Sequence, residues 1–256
     1  MLKNENMAYW CVIRNGKLLL QNGRLPLCSP EELICSTTSK RFIGDFDSIP
    51  VYWLVEESGF SDSDFFNLRE LLGCDSQLFA LAGRAIQLNY MIQSQRFCCH
   101  CGDLMQLDTQ VLAMHCAGCH SMHYPRVSPC VIVAVRKNNQ LLLAQHPRHK
   151  TGMYTVIAGF IEPGETAEQC VAREVLEETG IIVKNIRYFD SQPWAFPSNL
   201  MLGFTADYAS GDIKPDYEEL TDAMWATAEQ LPEVAPLGTI ARRLIDHTLS
   251  IVSTRL

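Results

Sequence analysis

Two pairs of cysteines constrain this chain more than any other feature. Cys98 and Cys101 have two residues between them, as do Cys116 and Cys119, and 14 residues separate the pairs. Each pair can sit on a tight backbone knuckle, and two knuckles can clasp one tetrahedral Zn²⁺ through four thiolates. That would tie residues 97–124, FCCHCGDLMQLDTQVLAMHCAGCHSMHY, into a small ribbon whatever the rest of the chain does. Four thiolates leave no open coordination position, so the expected zinc is structural and not catalytic. Cys99 and His100 could compete as ligands, but Cys99 breaks the two-residue spacing and His100 lies inside the knuckle. His115, His120 and His123 read as surface or packing residues. The alternative is chance spacing among 11 cysteines. That number is odd and the start, MLKNENMAYW, lacks an apolar signal core, which argues against a secreted disulfide framework. The other seven, Cys11, Cys28, Cys35, Cys74, Cys99, Cys130 and Cys170, read as small buried apolar residues or free thiols.

The ribbon divides the sequence. Before it, residues 1–96 read as a small N-terminal α/β domain without a catalytic motif, suited to support or dimerisation. MAYWCVIRNGKLLLQ (7–21) is a hairpin about Asn15-Gly16, and IPVYWLVEE (49–57) is a further strand. From Asp62 to about Gln95 the periodicity predicts two helices, broken near Gly73 to Ser76. After it, residues 125–256 are α/β in character. SPCVIVAVRK, QLLLAQH and YTVIAGF read as strands, followed by a helix and by the extended segments IIVKNIRYFDSQPWAF and NLMLGFTADYAS. A strand at AMWAT, a short AEQLP helix and an amphipathic TIARRLIDHTLSIVS helix close the chain. This order fits a mixed sheet between helices, an α/β sandwich. No apolar run approaches the 18 residues of a membrane span, so the expectation is a cytoplasmic protein with no membrane partner. The formal charge of −8 argues against a general nucleic-acid surface, and no DNA partner is expected. It does not exclude a phosphorylated substrate, because a bound divalent ion can reverse the local field.

The chemistry concentrates in residues 159–181, GFIEPGETAEQCVAREVLEETGI. Glu174, Glu177 and Glu178 fall at i, i+3 and i+4, so a helix projects all three from one face. Thr166 with Gln169 forms a capping box, and Gly180 stands where a left-handed C-cap is wanted. Val171 with Val175 and Ala172 with Leu176 supply apolar pairs for the buried side. Crowded carboxylates call for a hard cation, Mg²⁺ or Mn²⁺, which such sites share with substrate phosphates. A solvated acidic helix face is the competing reading. Downstream, Ser191-Gln192-Pro193-Trp194-Ala195-Phe196-Pro197 places two prolines around two aromatics. That is either a stiff platform for a planar base or an ordinary strand end in a core. If the strand alternation continues, Trp194 and Phe196 face opposite ways, one to the core and one to the site.

The stretch 159–181 resembles the Nudix box, Gly-x5-Glu-x7-Arg-Glu-U-x-Glu-Glu-x-Gly-U, where U is bulky and apolar. The matching positions are Gly159, Glu165, Arg173, Glu174, Val175, Glu177, Glu178, Gly180 and Ile181, with no departure. The resemblance implies a hydrolase of a nucleoside diphosphate linked to another moiety. SQPWAFPSNLM is also similar to the SQPWPFPxS motif of the NADH pyrophosphatase branch, with Ala195 in place of proline and Asn199 in place of serine. That branch carries a four-cysteine ribbon and a small N-terminal domain before its Nudix domain.

The resemblance then implies cleavage of NAD(H) to nicotinamide mononucleotide and AMP, removal of an NAD cap from RNA, and a homodimer. It implies Glu174 and Glu178 as metal ligands with the Ala158 carbonyl and Glu219, against which stand its neighbour Glu218 and a plain exposed acidic loop. Glu178 is implied as general base, and Glu177 as a ligand or a partner of Arg173. By the same likeness Tyr124 and Phe160 hold the nicotinamide, and Arg69, Ser198, Asn199 and Ala241 are substrate neighbours with the 192–197 loop. Two other readings stay open: a Nudix hydrolase of ADP-ribose or a dinucleoside polyphosphate, and an inactive Nudix domain with a zinc-ribbon binding role.

Overall fold

The structure, a computed structural model, describes residues 6–33, 39–55, 59–147 and 151–253. Cys35 and the end of the expected 49–57 strand lie outside the described residues. The chain divides into two compact units, residues 1–127 with 194–198 and residues 128–193 with 199–256.

The first unit is built on strand Ala8–Arg14, which turns through Asn15 and Gly16, both at positive φ, into Lys17–Leu19. It also pairs in parallel with Ile49–Val55, which runs back to Arg41–Phe46. Ala8–Arg14 is almost wholly buried because both faces of its sheet are covered. Cys11 and Ile13 join one core, and Ala8, Trp10 and Val12 join another. On the first face packs α1 (Ser76–Ser94), capped by Asp75, whose carboxylate accepts from Gln77 N–H at 2.8 Å. Phe79, Ala82, Ala85, Ile86 and Met91 make its buried stripe.

The expected first helix of this unit is not one. Residues 62–71 form two short 3₁₀ turns, Asp62–Asp64 and Leu68–Leu71, around strand residues Phe65–Phe66. Phe65, Leu68 and Leu71 are buried at a spacing of three, which a 3₁₀ turn satisfies better than an α-helix. The ribbon shares this unit's core, since Cys98, Met105, Met114 and Cys116 belong to the same cluster as Trp53 and Phe79.

In the second unit, Ser128–Lys137 is the central strand. It pairs in parallel with Asn199–Ser210 along its length. Its other edge is shared, by Ile157–Phe160 near the start and Gln140–Gln145 near the end. Ile182–Trp194 extends the sheet beyond Asn199–Ser210, and Asp222–Ala226 pairs with Gln140–Gln145. Val131, Val133, Val135, Phe204 and Ala206 turn to one face and pack on Cys170, Val171 and Val175 of α2 (Ala167–Thr179). Gly203, next to Phe204, faces Ile240 at the start of α3 (Ile240–Ser253). The mixed sheet is therefore enclosed by helices on both sides.

α2 starts and stops where its sequence says. The Thr166–Gln169 capping box is made in both directions, and Gly180 sits at φ 73° with its N–H on Leu176 O. Its buried side differs from expectation. Val171 and Val175 are fully buried, whereas Leu176 is 48% exposed. Leu176 follows Val175 by about 100° around the helix, and Cys170 and Glu178 take the inward places instead.

Candidate active site

The loop before α2 and the helix itself are joined by one side chain. Arg173 donates from Nε and Nη2 to the two oxygens of Glu165, at 2.8 and 2.9 Å. From Nη1 it donates to Glu174 at 2.9 Å and Glu177 at 3.0 Å, and from Nη2 to the carbonyl of Phe160 at 3.0 Å. A planar guanidinium with five N–H donors can do this; an ammonium cannot. The paired hydrogen bond holds the Glu165 carboxyl down to about 2, and the three carboxylates raise Arg173 in turn.

Glu174 lies directly over Gly159. A Cβ placed on Gly159 would stand 1.8 Å from the Glu174 carboxyl carbon, so only glycine leaves room for that carboxylate. Burial pushes the Glu174 carboxyl up, Arg173 opposes this, and the charges of Glu177 and Glu219 push it up further. Glu219 is thus within electrostatic reach of Glu174. The loop that carries it is tied to the end of α2, with Lys214 N–H on Thr179 O and Asp216 N–H on Glu178 O. Glu219 itself is exposed and its N–H bonds Asp216 O at 3.0 Å. Glu178, one turn past Glu174, is 3% exposed. Ala158 pairs with Ile132 in the strand leading into the box.

An all-oxygen, strongly negative donor set of this kind fits a hard divalent cation. The room kept open at Gly159 fits it further, since it lets one carboxylate lie against the backbone. Phe160 has its backbone held by Arg173 and by the Cys170 thiol at 3.3 Å, while the residue remains 55% exposed. Arg173 and Gly159 were legible only as box positions; their roles as clamp and as clearance appear in the structure.

The other sequence candidates fall in two places. In the second unit, the Gln192 amide donates to Gly238 O at 2.8 Å and accepts from Ile240 N–H at 2.7 Å, holding the start of α3 beside buried Ala241. Pro193 is exposed, and Asn199 opens its strand opposite Ser128. In the first unit, Trp194 and Phe196 both pack against the core, with centroids 4.7 Å apart. The expected alternation fails because the strand ends at Trp194 and residues 195–198 turn, with Phe196 N–H on Trp194 O. Arg69 lies over the Phe196 ring at 4.6 Å, Trp194 meets Phe79 at 6.1 Å, and Ala195 and Ser198 are buried. Pro197 is exposed, as is Tyr124, whose carbonyl accepts from the Gln95 amide.

The four ribbon cysteines converge, with all sulfurs within 4.8 Å of one another. Cys98 and Cys119 are 3.5 Å apart and Cys101 and Cys116 3.4 Å, near the roughly 3.8 Å between sulfurs of a Zn–S tetrahedron. Both knuckles close alike. Gly102 N–H bonds Cys98 O and His120 N–H bonds Cys116 O, each donor at positive φ.

A family profile for the NUDIX domain matches residues 125–248. The chain belongs to the Nudix hydrolase family. It is 60% identical over 252 residues to the NAD-capped RNA hydrolase NudC of Photobacterium profundum, covering 98% of this chain and 95% of the relative. It is 46% identical to the NAD-capped RNA hydrolase NudC of Pectobacterium atrosepticum, over 97% of this chain and 94% of that one. Among solved structures, a NUDIX hydrolase from Nitrosomonas europaea shares the fold, with a TM-score of 0.54 and 24% identity, over 62% of this chain and 93% of that chain. No helix of the described residues is long and apolar enough to cross a membrane.

Proposed function

We propose that this chain is a divalent-metal-dependent pyrophosphohydrolase that cleaves NAD(H) to nicotinamide mononucleotide and AMP and removes the NAD cap from RNA 5′ ends. The observation that carries the reading is the clamp of Arg173 on Glu165, Glu174 and Glu177 over Gly159. The name shared by relatives that match nearly the whole chain supports the substrate. Glu174, Glu178, Glu219 and the Ala158 carbonyl would hold Mg²⁺ or Mn²⁺, with Glu177 beside them on Arg173. Bound there, the ion supplies Lewis acidity toward the pyrophosphate.

The chain's own residues then divide the work. Glu178, buried one turn from Glu174, takes the proton of the attacking water. Arg173 keeps its charge and fixes where Glu174 points. Phe160 offers its exposed ring to the nicotinamide, and Tyr124 is a second exposed ring of the same use. Gln192 and Ala241 set the start of α3; Arg69, Trp194, Ala195, Phe196 and Ser198 set the turn that presents Pro197 and that Pro193 and Asn199 border. The ribbon holds one structural Zn²⁺, and the protein acts as a homodimer, which sedimentation would test.

The deciding experiment is incubation of the protein with NADH and with 5′-NAD RNA in Mg²⁺ or Mn²⁺, with products separated by chromatography. Release of nicotinamide mononucleotide from both supports the reading. Hydrolysis of ADP-ribose with NADH untouched would replace it with another Nudix substrate.

A further inference from the structure

Beside the four-thiolate cluster lies a second set of donors that the first leaves unused. Cys99, His100 and His123 bring a sulfur and imidazole nitrogens within 4.8 Å of one another. Cys99 Sγ is 3.9 Å from His123 Nδ1 and 4.0 Å from Nε2. The rings of His100 and His123 meet edge to face, with centroids 5.8 Å apart. Around a tetrahedral zinc, a sulfur and a nitrogen stand roughly 3.5 Å apart. Closing Cys99 and His123 on an ion therefore takes a shift of about half an ångström, and bringing in His100, within 4.8 Å of both, takes on the order of 1 Å. Cys99 and His100 are exposed and His123 half-buried, so these shifts meet little resistance.

A hydrogen bond from the first cluster prepares the second. Ser121 Oγ lies 3.3 Å from Cys98 Sγ, 3.1 Å from Cys119 Sγ and 3.1 Å from His123 Nε2. Zinc-bound thiolates only accept, and with the Ser121 hydroxyl proton given to one of them its oxygen accepts from His123 Nε2–H. That places the ring proton on Nε2 and leaves Nδ1 with the free lone pair that a metal-binding imidazole requires.

We propose that Cys99, His100 and His123 form a second metal site, for Zn²⁺ or a similar borderline-soft divalent ion, with one coordination position left open. One sulfur and two imidazole nitrogens suit such ions and not Mg²⁺. The exposed ligands make this metal exchangeable, whereas the four-cysteine ion is part of the fold. The proposal rests on the four-cysteine zinc only for the orientation of Ser121.

The test uses the full chain, dialysed to equilibrium against micromolar zinc and measured by elemental analysis with the zinc of the dialysate subtracted. The expected content is two zinc per chain for the parent and one for Cys99→Ser and for His100→Asn. A measurement without any variant accompanies it. Alkylation of Cys99 by iodoacetamide, read by mass spectrometry, should slow about tenfold or more as zinc is added, because a metal-bound thiolate is a poor nucleophile. A parent that saturates at one zinc, with Cys99 alkylated equally fast with and without zinc, overturns the proposal and leaves the four-cysteine site standing. No zinc at all would overturn both.

Discussion

The ribbon gathers four thiols and the Nudix box four carboxylates, and they hold them by opposite means. In the ribbon the main chain does it: two knuckles of the same hydrogen-bond pattern fix each sulfur through its own backbone. In the box the carboxylates stand on long side chains, and one guanidinium arranges Glu165, Glu174 and Glu177, of which Glu174 is the one proposed as a metal ligand. Donors fixed by backbone support the fold around them. Donors fixed by a side chain on an already capped helix can be altered without undoing the helix. On the proposed function, binding energy goes into folding at the first site and into a reaction at the second.

Losing a ribbon ligand should have the largest effect. Binding energy at a structural four-ligand zinc is about 10–16 kcal/mol and is folding energy. Cys119→Ser is expected to lose the ion and the hydrogen-exchange protection of strands Met105–Leu107 and Met114–Cys116. A variant that keeps its protection and its zinc would erase the contrast between the two sites. Glu178→Gln should do the reverse, lowering kcat by about 10²–10⁴-fold with an unchanged melting temperature. Activity near that of the parent in saturating Mn²⁺ would remove Glu178 from the site.

Gly159→Ala is a more exacting case, because it replaces no donor. Its methyl would occupy the place of the Glu174 carboxyl carbon. A displacement of about 1 Å at a reacting centre can cost about a hundredfold, so kcat should fall while the fold and zinc content hold. Full activity would show that the position of Glu174 is not critical. Phe160→Ala should raise KM for NADH by roughly ten- to a hundredfold, the worth of one base–ring stack of about 1–3 kcal/mol, and spare ADP-ribose. Equal loss on both substrates would mean that the ring does not read nicotinamide.

The smallest effect concerns acid. Glu165 is held from 4.5 down to about 2 by Arg173, so its contribution is complete above the unfolded value and fades as pH falls from about 4.5 toward 2. Melting curves of the parent and Glu165→Gln should therefore converge across that window. A constant gap would mean that the pair adds nothing to stability.

Features written in local spacing were legible from sequence. The hairpin at Asn15-Gly16, the two ends of α2 and the convergence of the four cysteines each depend on residues close in the chain. Residues 62–71 misled because apolar spacings of three serve both helix types. Strand Arg41–Phe46 was hidden by its charges, by Gly44 and by a register shift between Phe42 and Gly44. Trp194 and Phe196 could not be placed, since their contacts with Phe79 and Arg69 lie more than a hundred residues away in the chain. The clamp of Arg173 was half visible: Glu177 stands four residues on, but Glu165 is brought to it by a loop whose path no periodicity records.

The core of the first unit sets an order of events during synthesis. It is completed by Trp194, Ala195 and Phe196, which leave the ribosome nearly seventy residues after Val127. Until then Phe79, Gly83 and Arg69 wait without those neighbours, and the nascent N-terminal half has an unfilled apolar surface. The part of the chain made first is thus finished late, and a fragment ending at residue 127 is expected to aggregate where the whole chain folds.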